Sequence, residues 1–143
     1  MPIYEVTAQS GVLSQESKTR LAQAITTIHA DETDAPGEFI NVIFPEVPQG
    51  SIFTAGKPAP TIIVRGMVRA GRPESVRRSI LQRINDALLE ITDVSPMSVL
   101  LTVVDLPPSW AMEAGKLLPE PTKEAEAAWF ADTAKRRSAT ADA

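Results

Sequence analysis

The sequence predicts an α/β fold in which two fused β-α-β units form a four-stranded sheet with two helices on one face. Three observations carry this expectation. Strand-like and helix-like apolar patterns alternate along the chain, and turn-forming Pro/Gly/Asp/Ser stretches separate them. The second half also repeats landmarks of the first at an offset of 58 to 59 residues, the mark of a duplicated supersecondary unit.

The elements follow in order. Pro2 precedes the apolar-rich run at 3–6; a proline cannot donate to a sheet ladder, so it suits the first residue of a strand. After the turn QSGVLS, Ser14 is placed to cap a helix reaching to about residue 30, whose stripe is Leu21, Ala24, Ile25 and Ile28. DETDAPGE is turn chemistry, and residues 39–44 form a second strand, apolar except for Asn41. PEVPQGSIFTAGKPAP reads as a long connection to a third strand at 61–68. RAGRPE turns the chain into a second helix, with Pro73 at its first position and Val76, Ile80, Ile84, Leu88 and Ile91 along one side. A fourth strand at 99–104 is interrupted only by Thr102, a pattern that predicts burial on both faces. Beyond it, one helix is expected at 123–135, docked by Trp129 and Phe130, and the last eight residues are expected to be disordered.

The repeat is specific in its landmarks. Pro2 answers to Pro60, Glu16–Ser17 to Glu74–Ser75, Thr33–Asp34 to Thr92–Asp93, and Glu46-Val47-Pro48 to Asp105-Leu106-Pro107. The chain is expected to be a single domain over 1–143, with repeats at about 2–48 and 60–107 and an extension from 108 onward. A strand–helix–strand unit requires a parallel pair and a right-handed crossover. Two helices cover only one sheet face, so the other apolar face predicts self-association.

Composition removes several function classes. A net charge of −4 offers no general attraction for nucleic acid. No apolar run approaches the ~18 residues of a membrane helix, and no signal peptide is apparent, so a cytoplasmic location is expected. Zero cysteines exclude disulfides and thiolate chemistry, and a single histidine leaves the usual zinc ligand sets incomplete; no metal and no cofactor are expected.

A few residues stand out chemically. If the initiator Met1 is removed, Pro2 carries a free secondary amine, able to act as a base, to donate a proton when protonated, or to form an imine. Arg69 and Arg72 stand three apart across a turn containing Gly71, at the positive end of the second helix. Two cations there call for an anion, and their planar forks suit a carboxylate. His29 lies near the C-terminal end of the first helix, where an imidazolium is favourable on its own account. Glu113, after Trp110 and Met112 in a segment read as one short helical turn, is either a solvated carboxylate or a base for activating water.

A repeated β-α-β unit headed by proline directly after the initiator resembles the tautomerase superfamily, over roughly residues 2 to 120. Pro2, His29, Arg69, Arg72 and Glu113 together resemble its cis-3-chloroacrylic acid dehalogenase-like subgroup. That subgroup carries a tyrosine on the fourth strand where this chain has Thr102, the expected pocket wall; the chain's one tyrosine, Tyr4, is too near the N-terminus to be its equivalent. The resemblance implies a homotrimer with sheets lining the interior and a small carboxylate substrate. It implies Pro2, His29 and Glu113 as catalytic residues, with Arg69 and Arg72 binding substrate. The implied activities are weak hydration or dehalogenation of cis-3-haloacrylates and tautomerisation of 2-oxo acid enols. Decarboxylation of a 3-oxo acid and a non-catalytic trimeric binding role remain the alternatives.

Overall fold

A computed structural model describes residues 1–142. The chain divides into two compact units. The first comprises Met1–Val68 and Pro73–Val104; the second comprises Arg69–Arg72 and the chain from Asp105 onward.

The first unit contains the sheet. Strand β1 (Ile3–Gln9) is followed by helix α1 (Gln15–Thr33), a 3-10 turn at Gly37–Phe39, and strands β2 (Asn41–Ile43) and β3 (Glu46–Val47). A hairpin of β4 (Phe53–Thr54) and β5 (Lys57–Pro58) precedes β6 (Ile62–Arg69), helix α2 (Glu74–Ile91) and β7 (Val99–Leu106). The sheet order is β2-β1-β6-β7, with β3 also paired to β1. β2 and β3 lie parallel to β1 in one continuous register, Ile3 opposite Asn41 and Ala8 opposite Glu46. They are one strand interrupted at Pro45, which has no N–H to give; its carbonyl still accepts from Ala8 N at 3.2 Å. The two halves meet where β1 runs antiparallel to β6, Tyr4 opposite Gly66.

Side-chain alternation decides which sheet face is covered. Tyr4, Val6 and Ala8 of β1 and Ile62, Val64 and Val68 of β6 are buried in one core with Leu21, Ile25 and Ile28 of α1 and Ile80, Ile84 and Leu88 of α2. Ser14 caps α1, its hydroxyl accepting from Ser17 N at 3.1 Å, and the helix stops at Asp34 in the left-handed region. Pro73 is the N-cap of α2 rather than its first residue. Arg83 of α2 holds Asp31 and Glu32 of α1, each at 3.0 Å, and Ser79 donates to Glu32 at 2.6 Å. The opposite sheet face carries Ile3, Met67, Leu100 and Val104, all exposed in the single chain. On β7 only Val99, Leu101 and Val103 pack on the core, while Leu100, Thr102 and Val104 face outward. The expected burial of that strand on both faces is therefore corrected to one: within the chain, both helices lie on the same side.

The second unit is built around a helix. A 3-10 turn at Pro108–Trp110 leads into a hairpin of β8 (Met112–Glu113) and β9 (Lys116–Leu117), then helix α3 (Lys123–Ala141) capped by Thr122. Trp129 is buried and donates Nε1–H to Leu117 O at 3.0 Å. Asp132 binds Lys116 Nζ at 2.8 Å and Arg136 Nε at 3.1 Å; the Lys116 hydrogen bond chiefly, with Arg136, holds its carboxyl below the ordinary range. The helix continues through Ser138 and Thr140, where small polar composition suggested disorder; alanine favours helix, and both hydroxyls bond back to carbonyls of the preceding turn.

The two hairpins extend the repeat beyond its expected limits. Phe53-Thr54-Ala55-Gly56-Lys57-Pro58 and Met112-Glu113-Ala114-Gly115-Lys116-Leu117 lie 59 residues apart. Ala55 and Ala114 share φ 52°, and the glycines after them have φ 73° and 75°, the two positive angles of a type I′ turn. Among the described residues, no helix is long and apolar enough to cross a membrane.

Candidate active site

Three of the sequence-predicted residues belong to the first unit. Pro2 immediately precedes β1 and is fully buried, with its carbonyl accepting from Asn41 N at 3.1 Å. Tyr4 lies two residues on, on the same face of the strand. Its ring stands edge-on to that of His29, centroids 5.7 Å apart, and its hydroxyl is 2.8 Å from His29 Nδ1. His29 is 1% exposed, and its place late in α1 turns the imidazole into the core rather than toward solvent at the helix end. The phenol thus supplies the polar contact that a buried ring nitrogen requires. Thr102 faces the other way. It lines a recess on the outer sheet face with Ile3, Glu5, Arg65, Met67 and Val104.

The arginines belong to the second unit. Arg69 ends β6 and Arg72 lies just before Pro73, separated by Ala70 and Gly71. Ala70 N–H bonds to Leu106 O at 2.8 Å, and Gly71 adopts φ +109°, a conformation that closes the turn and is open only to glycine. Both guanidiniums then reach one carboxylate. Arg69 Nη2 hydrogen-bonds Glu126 Oε1, and Arg72 Nη2 lies 3.6 Å from the same oxygen. Arg69 Nη1 also donates to Pro119 O at 2.8 Å. The carboxylate that both arginines approach comes from α3 of the same chain.

Glu113 sits on β8, half-buried. The helical turn expected around it ends at Trp110, and an extended hairpin strand takes its place because the Ala114-Gly115 pair turns the chain back on itself. Its neighbours Trp110 and Met112 are 74% and 66% exposed in the single chain, so they do not bury it. Among the described residues, no cluster of His, Cys, Asp and Glu is arranged to hold a metal.

Two side chains that the sequence did not single out contact the candidate residues: Tyr4 meets His29 and Glu126 meets Arg69. Tyr4 has the same parity as Pro2 along the extended chain, and both are buried on the helix side. Glu126 had no comparable signal, because 57 residues separate it from Arg69.

Comparison with known proteins agrees with this architecture. The family model described as "Putative oxalocrotonate tautomerase enzyme" matches residues 1–134. Among solved structures, native Ps01740 is 44% identical, over 78% of this chain and 99% of that one, with a TM-score of 0.77. N1, a member of the cis-3-chloroacrylic acid dehalogenase family, is 34% identical over 90% of both chains, with a TM-score of 0.83. The R7 fused 4-OT asymmetric trimer is 26% identical, over 80% of this chain and 94% of that one, with a TM-score of 0.73. A search of curated proteins gave no match. A duplicated β-α-β sheet, a proline heading β1 and a match over nearly the whole chain lead to one conclusion: the chain belongs to this tautomerase family, within its cis-3-chloroacrylic acid dehalogenase-like group.

Proposed function

We propose that the protein is a cofactor-independent enzyme whose reagent is the amine of Pro2, freed by removal of Met1, and whose substrates are small unsaturated carboxylates. The observation that carries this reading is the approach of Arg69 and Arg72 to one carboxylate oxygen. The turn that holds them accommodates a carboxylate between two guanidiniums, the group that a 3-haloacrylate or a 2-oxo acid enol presents. The active form is a homotrimer, a reading supported by the exposed apolar sheet face and by the trimeric assembly of the fused 4-OT relative.

With a cis-3-haloacrylate, the arginines hold the carboxylate and draw electron density away from C3. Glu113, with His29, takes a proton from water as its oxygen bonds to C3, and protonated Pro2 delivers a proton to C2. The resulting halohydrin loses halide as its hydroxyl gives up a proton, leaving malonate semialdehyde. With an enol no water is consumed; Pro2 accepts the hydroxyl proton and returns one to carbon. Thr102 replaces the tyrosine of the dehalogenase subgroup, and hydration is expected to be the weaker activity.

Proton NMR of cis-3-chloroacrylate with the Met-free protein tests this, with Pro2→Ala alongside and the enol of a 2-oxo acid followed by ultraviolet absorbance. Product that vanishes in the variant is expected in at least one assay. Full activity of Pro2→Ala in both, or an intact mass that retains Met1, would overturn the proposal.

A further inference from the structure

We infer that Glu126 is a resident carboxylate that tunes the Arg69–Arg72 pair, so that a ligand carboxylate binds against a partly neutralised site and monoanions are favoured over dianions. This rests on the carboxylate-binding role proposed for the two arginines.

The geometry carries it in three steps. First, Glu126 Oε1 is the oxygen that both arginines approach, and the Arg69 side chain is only 10% exposed, so this ion pair is sheltered from solvent in a way that most surface pairs are not. Second, the carboxylate is built in rather than passing through. Glu126 lies in the first turn of α3, where its amide bonds to Thr122 O at 2.9 Å and a negative charge complements the helix dipole. The segment before it is pinned to the arginine turn: Pro119 O accepts from Arg69, and Pro121 packs so closely on Gly71 that a Cβ there would lie 2.2 Å from its Cγ. Third, a ligand carboxylate arriving at the pair meets both the attraction of two guanidiniums and the repulsion of Glu126. A second negative charge on the ligand meets the same repulsion with little cationic charge left to offset it.

Removing the charge while keeping the shape isolates this effect. Glu126→Gln retains an oxygen that accepts from Arg69, and Glu124→Gln, an exposed change in the same helical turn, controls for net charge. Acrylate and maleate, as monoanion and dianion, would be titrated into the purified full-length protein and followed by NMR, with circular dichroism confirming the fold of each variant. Glu126→Gln is expected to tighten acrylate on the order of fivefold and maleate further, with Glu124→Gln near wild type. Equal or weaker binding by Glu126→Gln, or an equal gain from Glu124→Gln, would overturn the inference. Arg72→Ala separates the two levels. If it leaves acrylate affinity unchanged, the carboxylate role of the arginines fails; if it weakens binding while Glu126→Gln does not tighten it, only the tuning role fails.

Discussion

Replacing Gly66 by alanine tests how the buried Tyr4–His29 pair is held. Gly66 lies directly opposite Tyr4 in the β1–β6 ladder, with the tyrosine ring over it. A Cβ at this position would stand 2.7 Å from Tyr4 Cε1, 3.0 Å from Cδ1 and 3.1 Å from Val103 Cγ2. Backbone pairing fixes both residues, so the ring has to tilt, and tilting draws its hydroxyl away from His29 Nδ1. Overpacking costs about 1–3 kcal/mol and the hydrogen bond about 1 kcal/mol, while alanine returns ~0.5–1 kcal/mol through its better strand entropy. The net loss is then about 1–3.5 kcal/mol, or roughly 3–12 °C in Tm for a chain of this size. Urea unfolding of Gly66→Ala, Tyr4→Phe and the double variant, at one protein concentration, separates the terms. In the Tyr4→Phe background the clash persists but the hydrogen bond is already gone, so Gly66→Ala should cost about 1 kcal/mol less than in wild type. A Gly66→Ala variant as stable as wild type would refute the close approach, and full additivity would refute its coupling to the hydrogen bond.

Three further outcomes are expected. Gly71→Ala, which combines φ +109° with a clash on Pro121, should lose ~3 kcal/mol or more by thermal unfolding; a change below about 1 kcal/mol would contradict the turn geometry. Ser79 and then Arg83 hold the Glu32 carboxyl below its ordinary value, so this carboxylate contributes stability above its unfolded pKa and loses it as pH falls through the folded one. Ser79→Ala should therefore cost at most about 1 kcal/mol at pH 7 and less on acidification below ~4.5, and a penalty that grows in acid would reverse the assignment. Thr122→Ala removes the cap whose oxygen accepts from Ala125 N at 3.2 Å and should destabilise α3 by ~1 kcal/mol, read as faster amide exchange at Ala125; unchanged exchange there would dismiss the cap.

What the sequence disclosed, and what it hid, follows the range of the forces involved. Helices α1 and α2 were legible because Leu21, Ile25 and Ile28, and Ile80, Ile84 and Leu88, recur at helical spacing and are the residues that the core buries. The hairpins were not, since two-residue strands are too short to alternate and Ala-Gly lacks the usual turn signature of Asn-Gly. The Ala-Gly-Lys triplet occurring twice, 59 positions apart, was the available clue. At the site, residue types and the Arg69–Arg72 spacing were readable, because both depend on local chain geometry. The Tyr4–His29 contact spans 25 residues and the Arg69–Glu126 contact 57; no local pattern encodes either.

The duplicated hairpin has a consequence for how such a chain can change over time. In an assembly of identical single-unit chains, any substitution appears in every copy at once. Here both copies lie in one polypeptide, so each position can mutate alone. Thr54 and Glu113 occupy matching places on the same turn, as do Phe53 and Met112, yet their chemistry has parted. One hairpin is thereby released to carry an acidic group while the other keeps a neutral one, an asymmetry that duplication within the chain permits and strict symmetry forbids.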